Sequence, residues 1–180
     1  MDHSHLDETL LPLCSAPRWV VALSGGLDST VLLNLVASWC SANPGAPPLA
    51  ALHVEHGLAP EADAWAEHCA ASCAGLGVPY TSRSVTVPGG ASLEAQARAA
   101  RYEVFDEELG PGEVLFLAHH LDDQVETFML RLLRGAGLEG LSAMPVSRPL
   151  GAGTLVRPLL AFSRADLEDY ARHHTLAWVE

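Results

Sequence analysis

From Trp19 onward the sequence alternates short apolar runs with longer segments whose apolar residues recur at helical spacing. The runs Trp19–Leu23, Leu49–Val54, Tyr80–Val87 and Val114–Ala118 read as strands, with a weaker one near Thr154–Val156. Helical patterns lie at Ser29–Cys40, Glu61–Leu76, Ser92–Leu109, Asp122–Leu133 and Ser163–His173. Short strands separated by helices require right-handed crossovers, so the expected architecture is α/β: an open parallel sheet of about five strands with helices on both faces. The punctuation agrees. Asn43-Pro44-Gly45-Ala46-Pro47-Pro48 and Pro88-Gly89-Gly90 break the pattern between elements, Ser92 is an expected N-cap and Gly135 an expected C-cap.

With 180 residues, 49% of them hydrophobic, the chain has enough apolar material for one domain around one core. Residues 1–17 read as an N-terminal helical extension, acidic and without the basic start of a secretory signal. No run approaches the roughly 20 apolar residues of a membrane span, so no membrane partner is expected. The four cysteines show neither disulfide nor zinc-ribbon spacing, and Cys69 and Cys73 share a helix face. A reducing, cytoplasmic compartment follows. The net charge of −12 argues against a surface that coats nucleic acid indiscriminately. Every fixed cation is an arginine and there is no lysine. A Walker A loop and a lysine nucleophile are thereby excluded, and any attacking amine must arrive as a substrate.

In open parallel sheets ligands bind beyond the carboxyl ends of the strands, where strand order reverses. The polar clusters of this chain fall at such ends. Ser24-Gly25-Gly26-Leu27-Asp28-Ser29 follows the first strand. Its glycines permit close approach of an anion to backbone amides at the positive end of the next helix, and Ser24 and Ser29 add hydroxyls. The bland alternative is a tight turn with an Asp or Ser cap. His53 and His56 flank Glu55 after the second strand; a complete zinc set would need ligands of suitable spacing that are lacking, so a loop lining a nucleobase pocket is preferred. In Ser92–Tyr102, Glu94, Arg98 and Arg101 share one helical face, either as a solvated ion-pair face or as paired guanidinium forks for phosphate or carboxylate. The densest cluster is His119-His120-Leu121-Asp122-Asp123 with Glu126. Acids favour a helix N-terminus, yet this many carboxylates also suit magnesium or a substrate ammonium. Phe128, Met129, Leu130, Leu132 and Leu133 are expected to be mostly core. Arg131 and Arg134 form a cationic edge that either holds RNA phosphate or complements the helix end.

The S-G-G-x-D-S corner resembles the PP-loop of the N-type ATP pyrophosphatases, which split ATP between its α- and β-phosphates. The later blocks H-V-E-H-G-L, E-A-Q-A-R-A-A-R-Y, A-H-H-L-D-D-Q-V-E-T, R-L-L-R-G-A-G-L-E-G-L and R-P-L-L occur in order. Together they resemble the N-terminal catalytic domain of the tRNA(Ile)-lysidine synthases. The resemblance implies a Rossmann-like, adenine nucleotide alpha hydrolase-like fold over residues 1–180. It implies ATP and Mg²⁺ as cofactors. The activity implied is adenylylation of carbon-2 oxygen in the wobble cytidine of tRNA(Ile) with a CAU anticodon, then attack by free L-lysine to give lysidine. Carried across, Ser24, Gly25, Gly26, Leu27, Asp28, Ser29 and His53 bind the nucleotide. Asp28, His119, Asp122, Asp123 and Glu126 form the catalytic group, with Asp28, Asp123 and Glu126 toward the metal. Arg98, Arg101, Arg131, Arg134 and Arg157 face the substrate. A second copy of the chain is a further candidate partner. Family sequences typically continue past Trp178-Val179-Glu180 into tRNA-contacting domains, so a truncated or minimal member is expected.

Other readings stay open from the residues. A PP-loop tRNA thiolase of the two-thiocytidine type carries C-x-x-C pairs, which Cys69-x-x-x-Cys73 does not reproduce. Amidotransferase-coupled synthetases do not explain the R-L-L-R-G block. A nucleotide-binding module without chemistry leaves the histidines and carboxylates without a task.

Overall fold

The computed structural model describes residues 3–55, 62–86, 93–135, 137 and 142–179. The chain opens with α1 (His3–Leu10) and a short 3-10 turn, followed by β1 (Trp19–Ala22), α2 (Leu27–Ala42), β2 (Leu49–Glu55) and α3 (Ala62–Gly75). Next come β3 (Tyr80–Ser84), α4 (Leu93–Glu108), β4 (Val114–Phe116), α5 (Leu121–Leu133), β5 (Ser147–Leu150), β6 (Gly153–Val156) and α6 (Arg164–His173). The sheet runs β3-β2-β1-β4-β6-β5. Every pairing is parallel except the β5–β6 hairpin. Strand order reverses between β1 and β4, which places the switch point at their carboxyl ends.

The alternating side chains of the central strands sort into two cores. Trp19 and Val21 of β1 and Val114 and Phe116 of β4 face one side, with Leu32, Val36, Cys69, Cys73, Leu167 and Tyr170 packed over them from α2, α3 and α6. Leu6 and Leu10 of α1 join this core, so the expected N-terminal helix is built into it. Val20, Leu115 and Leu117 face the other side, covered chiefly by Val104, Phe105 and Leu109 on and just after α4. The sheet is therefore thickly buttressed on one face and covered by little more than one helix on the other.

The expected strands are present, and β5 is an addition. Ser-Arg-Pro-Leu has no period-2 pattern, and Pro149 cannot donate to a ladder; it is accommodated because β5 is the sheet edge. Gly135 ends α5 with φ +73, as a C-cap glycine does. The proposed cap Ser92 and the histidine His56 lie outside the described residues. One expectation fails. Phe128, Met129, Leu130, Leu132 and Leu133 are exposed rather than core, and no residue of α5 is buried. These residues fill five of six consecutive positions and so spread around more than half of the helix rather than along one face, and α5 contributes to neither core. Among the described residues no helix is long and apolar enough to cross a membrane.

Candidate active site

A cavity of about 500 Å³ opens at the switch point. Its polar wall comes from Ser24, Gly26, Asp28 and Ser29 after β1, and from His119 and Asp123 after β4. Leu52, Val54, Trp65, Tyr102, Phe105 and Leu117 supply an apolar wall. Anionic groups and a planar base thus have separate places to go.

The corner after β1 decides between a capped turn and an anion cradle. α2 starts at Leu27, earlier than expected, with Gly26 as N-cap and no side chain capping it. The hydroxyls that might have capped are spent on the corner itself. Ser29 Oγ donates to the Gly26 carbonyl at 3.1 Å and lies 2.9 Å from Ser24 Oγ. The Ser24 N–H donates to Ser29 Oγ at 3.1 Å. The helix therefore presents an uncapped positive end to the cavity. Not every residue of the motif faces inward. Gly25 and Leu27 do not line the cavity; Leu27 is buried in the core, and Gly25, at φ +88, is backed by Cys69 and Val179.

The carboxylates expected to act together are divided. Asp28 and Asp123 both line the cavity, and Asp123 is near enough to add to the cost of ionising Asp28. Asp28 Oδ1 is buried without a hydrogen-bond partner, and its carboxyl is raised from the usual range, first by burial. Asp123 Oδ2 accepts from the His120 N–H at 2.8 Å, so the capping role is real and uses one oxygen. Asp122 turns away, its Oδ2 accepting the Arg164 N–H at 2.8 Å at the start of α6. Glu126 is exposed on α5 and lines no part of the cavity. Among the described residues no group of three His, Cys, Asp or Glu side chains converges on a metal-sized site. Magnesium needs fewer, since one or two carboxylates plus substrate phosphates usually hold it, and the orphaned Asp28 oxygen beside Asp123 fits that demand.

Both histidines after β4 matter. His119 lines the cavity, and its imidazole is pushed down to about 4 by burial, then by Arg157, so it is neutral at physiological pH. His120, part of the sequence cluster but given no role there, is buried between acids: Nε2 lies 3.7 Å from Asp28 Oδ2 and 3.7 Å from Asp123 Oδ2, and Nδ1 lies 3.6 Å from Asp122 Oδ2. His53 is buried at the cavity wall, its Nδ1–H donating to the Leu23 carbonyl at 2.8 Å, which leaves Nε2 as the acceptor nitrogen.

The arginines split in the same way. Arg98 and Arg101 line the cavity from α4. Arg157 is buried beside it, donating to the Pro145 carbonyl at 2.9 Å, with Nε unpartnered. Arg131 reaches the Ser142 carbonyl and Arg134 stands at the C-cap of α5; neither lines the cavity. Neither Trp65 nor Arg148 was visible as a site residue in the sequence. Trp65 projects from α3 into the cavity wall, and Arg148 from β5 lies 5.3 Å from the Tyr102 ring centroid, with Arg98 at 5.1 Å from the same ring.

A family model described as a PP-loop domain matches residues 2–180. The chain is 56% identical over 177 residues to a tRNA(Ile)-lysidine synthase from Pseudomonas aeruginosa, covering 98% of this chain and 40% of that protein. To the protein of the same name from Coxiella burnetii it is 49% identical over 170 residues, covering 93% of this chain and 37% of that one. The chain thus spans about two fifths of the length of these curated relatives. Among solved structures it is similar to the U34-tRNA thiolase NcsA from Methanococcus maripaludis, with a TM-score of 0.76 at 19% identity over 98% of this chain and 64% of that one. A glutamine-dependent NAD+ synthetase from Acinetobacter baumannii matches with a TM-score of 0.60 at 13% identity, over 94% of this chain and 31% of that one. At such identities these two likenesses speak for the fold alone. The family match, by contrast, runs through the Ser24–Ser29 corner and through every strand that supports it, and the chain belongs to the PP-loop domain family.

Proposed function

We propose that this domain carries out the ATP-dependent formation of lysidine at the wobble cytidine of tRNA(Ile) with a CAU anticodon, within a cytoplasmic enzyme. The observation that carries the reading is the uncapped start of α2, which shares with Asp123 the polar wall of a cavity whose other wall is apolar. Identity of 56% to a tRNA(Ile)-lysidine synthase supports this reaction over others that a PP-loop can serve.

In the proposed sequence the cytidine carbon-2 oxygen attacks the α-phosphorus of ATP. The bond from that phosphorus to the α–β bridging oxygen breaks, and pyrophosphate leaves into the Gly26–Ser29 corner, where amides and hydroxyls receive its charge. The lysine ε-amine then attacks carbon-2, the carbon–oxygen bond breaks, and AMP departs with that oxygen while the amine loses its proton. Neutral His119 offers an imidazole nitrogen as a hydrogen-bond acceptor that can orient the incoming amine, while burial and Arg157 disfavour its full protonation. Asp28 and Asp123 would hold Mg²⁺, which supplies charge neutralisation at the phosphates when bound. Asp122 and Glu126, on the exposed side of α5, are placed to attract a cationic lysine rather than to touch the reacting atoms. Arg98, Arg101, Arg148 and Arg157 gather near Tyr102 and His119 in a chain of net charge −12, a local basic rim suited to RNA phosphate. Arg131 and Arg134, near the end of α5, would hold RNA phosphate or complement that helix end. The domain spans 1–180, and a homodimer is one proposed assembly.

The deciding experiment measures AMP and pyrophosphate release with ATP, the CAU transcript and lysine, each withheld in turn. Pyrophosphate requiring the transcript, and lysidine requiring lysine, are expected. Release of pyrophosphate with a sulfur donor in place of lysine, or indifference to the transcript, overturns the proposal.

A further inference from the structure

The peptide joining Gly25 to Gly26 is gripped from behind by a segment outside the cavity. The Val179 N–H donates to the Gly25 carbonyl at 3.0 Å, and Thr30 Oγ1 donates to the same oxygen at 3.3 Å. Trp178, half-buried, packs against the core, so the amide of Val179 arrives on an anchored strap. The fit is close: a Cβ on Gly25 would lie 3.0 Å from Cys69 Sγ and 3.1 Å from Val179 Cγ2.

A trans peptide directs its C=O and N–H to opposite sides. Two donors on the Gly25 carbonyl therefore aim the Gly26 N–H the other way, toward Ser24 Oγ at 3.4 Å, and both Ser24 and Gly26 line the cavity. Between two glycines no Cβ enforces that orientation. Were the plane to flip, a carbonyl oxygen would face the phosphate in place of an amide, and the contact would turn from attractive to repulsive.

We propose that Val179 is a positioning residue whose backbone N–H, together with Thr30 Oγ1, locks the Gly25–Gly26 peptide in its phosphate-binding orientation and so sets the fraction of molecules able to take ATP. The proposal rests on ATP as the ligand of the PP-loop and is independent of lysidine formation. A lock of this kind acts before binding: apparent affinity scales with the competent fraction, whereas bound molecules are already aligned. KM for ATP should rise while kcat at saturation holds.

Calorimetric titration with MgATP and, separately, with adenosine tests it. V179P removes the N–H, V179A keeps it, and T30V removes the second donor. V179P is expected to weaken ATP binding about fivefold or more while adenosine, which has no phosphate, stays within about twofold. V179A should match the wild type for both ligands, and T30V should reproduce the selective loss. Should V179P not fold, T30V carries the same comparison. Unchanged ATP affinity in V179P and T30V, equal loss of ATP and adenosine, or a V179A defect as large as that of V179P each overturns the lock. A wild-type chain that bound neither ligand would instead overturn the nucleotide site beneath it.

Discussion

His120 Nε2 stands 3.7 Å from the Asp28 carboxylate, so the first turn of α2 and the cap of α5 meet across the point where the strand order reverses. Asp28 is thus held by partners on other elements, Arg164 at 3.6 Å among them. D28A should lower ATP turnover by about 10²–10³-fold, the usual loss for one preorganised charged group, with the far-ultraviolet circular dichroism unchanged. Because burial raises the Asp28 carboxyl, its ionised form is lost as pH falls through a value above that of ordinary aspartate. The acid limb of the wild-type rate profile should lie correspondingly high. A D28A variant with wild-type turnover removes Asp28 from the mechanism.

His119 gives a second pH signature. Its folded-state value of about 4 lies below that of a free imidazole, with burial the main cause and Arg157 the next. As pH falls below about 6.5 the unfolded chain takes up a proton that the native chain refuses, so stability present above that value is lost on acidification. Urea unfolding at pH 7 and pH 5 should show a steeper decline for the wild type than for H119Q. An imidazole resonance of His119 titrating near 6.5 in the native protein would contradict this.

Arg148 and Arg98 both approach the Tyr102 ring, which fixes two forks of charge beside the cavity. R148A should weaken binding of the CAU transcript and reduce the salt dependence of that binding by about one phosphate contact, leaving ATP affinity unchanged. Titrations at several salt concentrations read both quantities. A loss confined to ATP would assign Arg148 to the nucleotide instead.

Far from the site, Arg18 grips Glu113 with Nε at 2.9 Å and Nη2 at 2.7 Å, and the Gly110 amide adds 2.9 Å. Burial raises the Glu113 carboxyl, but these donors outweigh it and hold the group below its ordinary range. Its contribution is therefore complete above the unfolded carboxylate value and fades as pH falls through the folded one. E113Q should cost about 1–2 kcal/mol at pH 7, and the deficit should shrink near pH 3 in the same urea measurement.

Local periodicity was enough to read the parallel sheet, because β1, β2 and β4 are short apolar runs bounded by turn residues. The polar motifs at their ends placed the cavity for the same reason. What escaped depended on direction or distance in space. His119 and His120 are neighbours of identical chemistry, and only the side-chain directions at the end of β4 send one to the cavity and bury the other among acids. Asp122 and Glu126 matched a carboxylate cluster by spacing, yet the turn of α5 points them away from Asp28. Arg148 sits on a strand with no alternation, and Trp65 on a helix whose cavity-facing side no local pattern marks. The backing of Gly25 by Val179 joins residues at opposite ends of the sequence, beyond the reach of any window.

The unequal dressing of the sheet has a bearing on how the cavity can respond to cargo. Ser24–Ser29 rests against the heavily buttressed side, while Arg98, Arg101 and Tyr102 hang from α4 alone. A ligand at the corner would thus rest on the more heavily packed side of the sheet, and the cavity residues with the least packing behind them are those on α4.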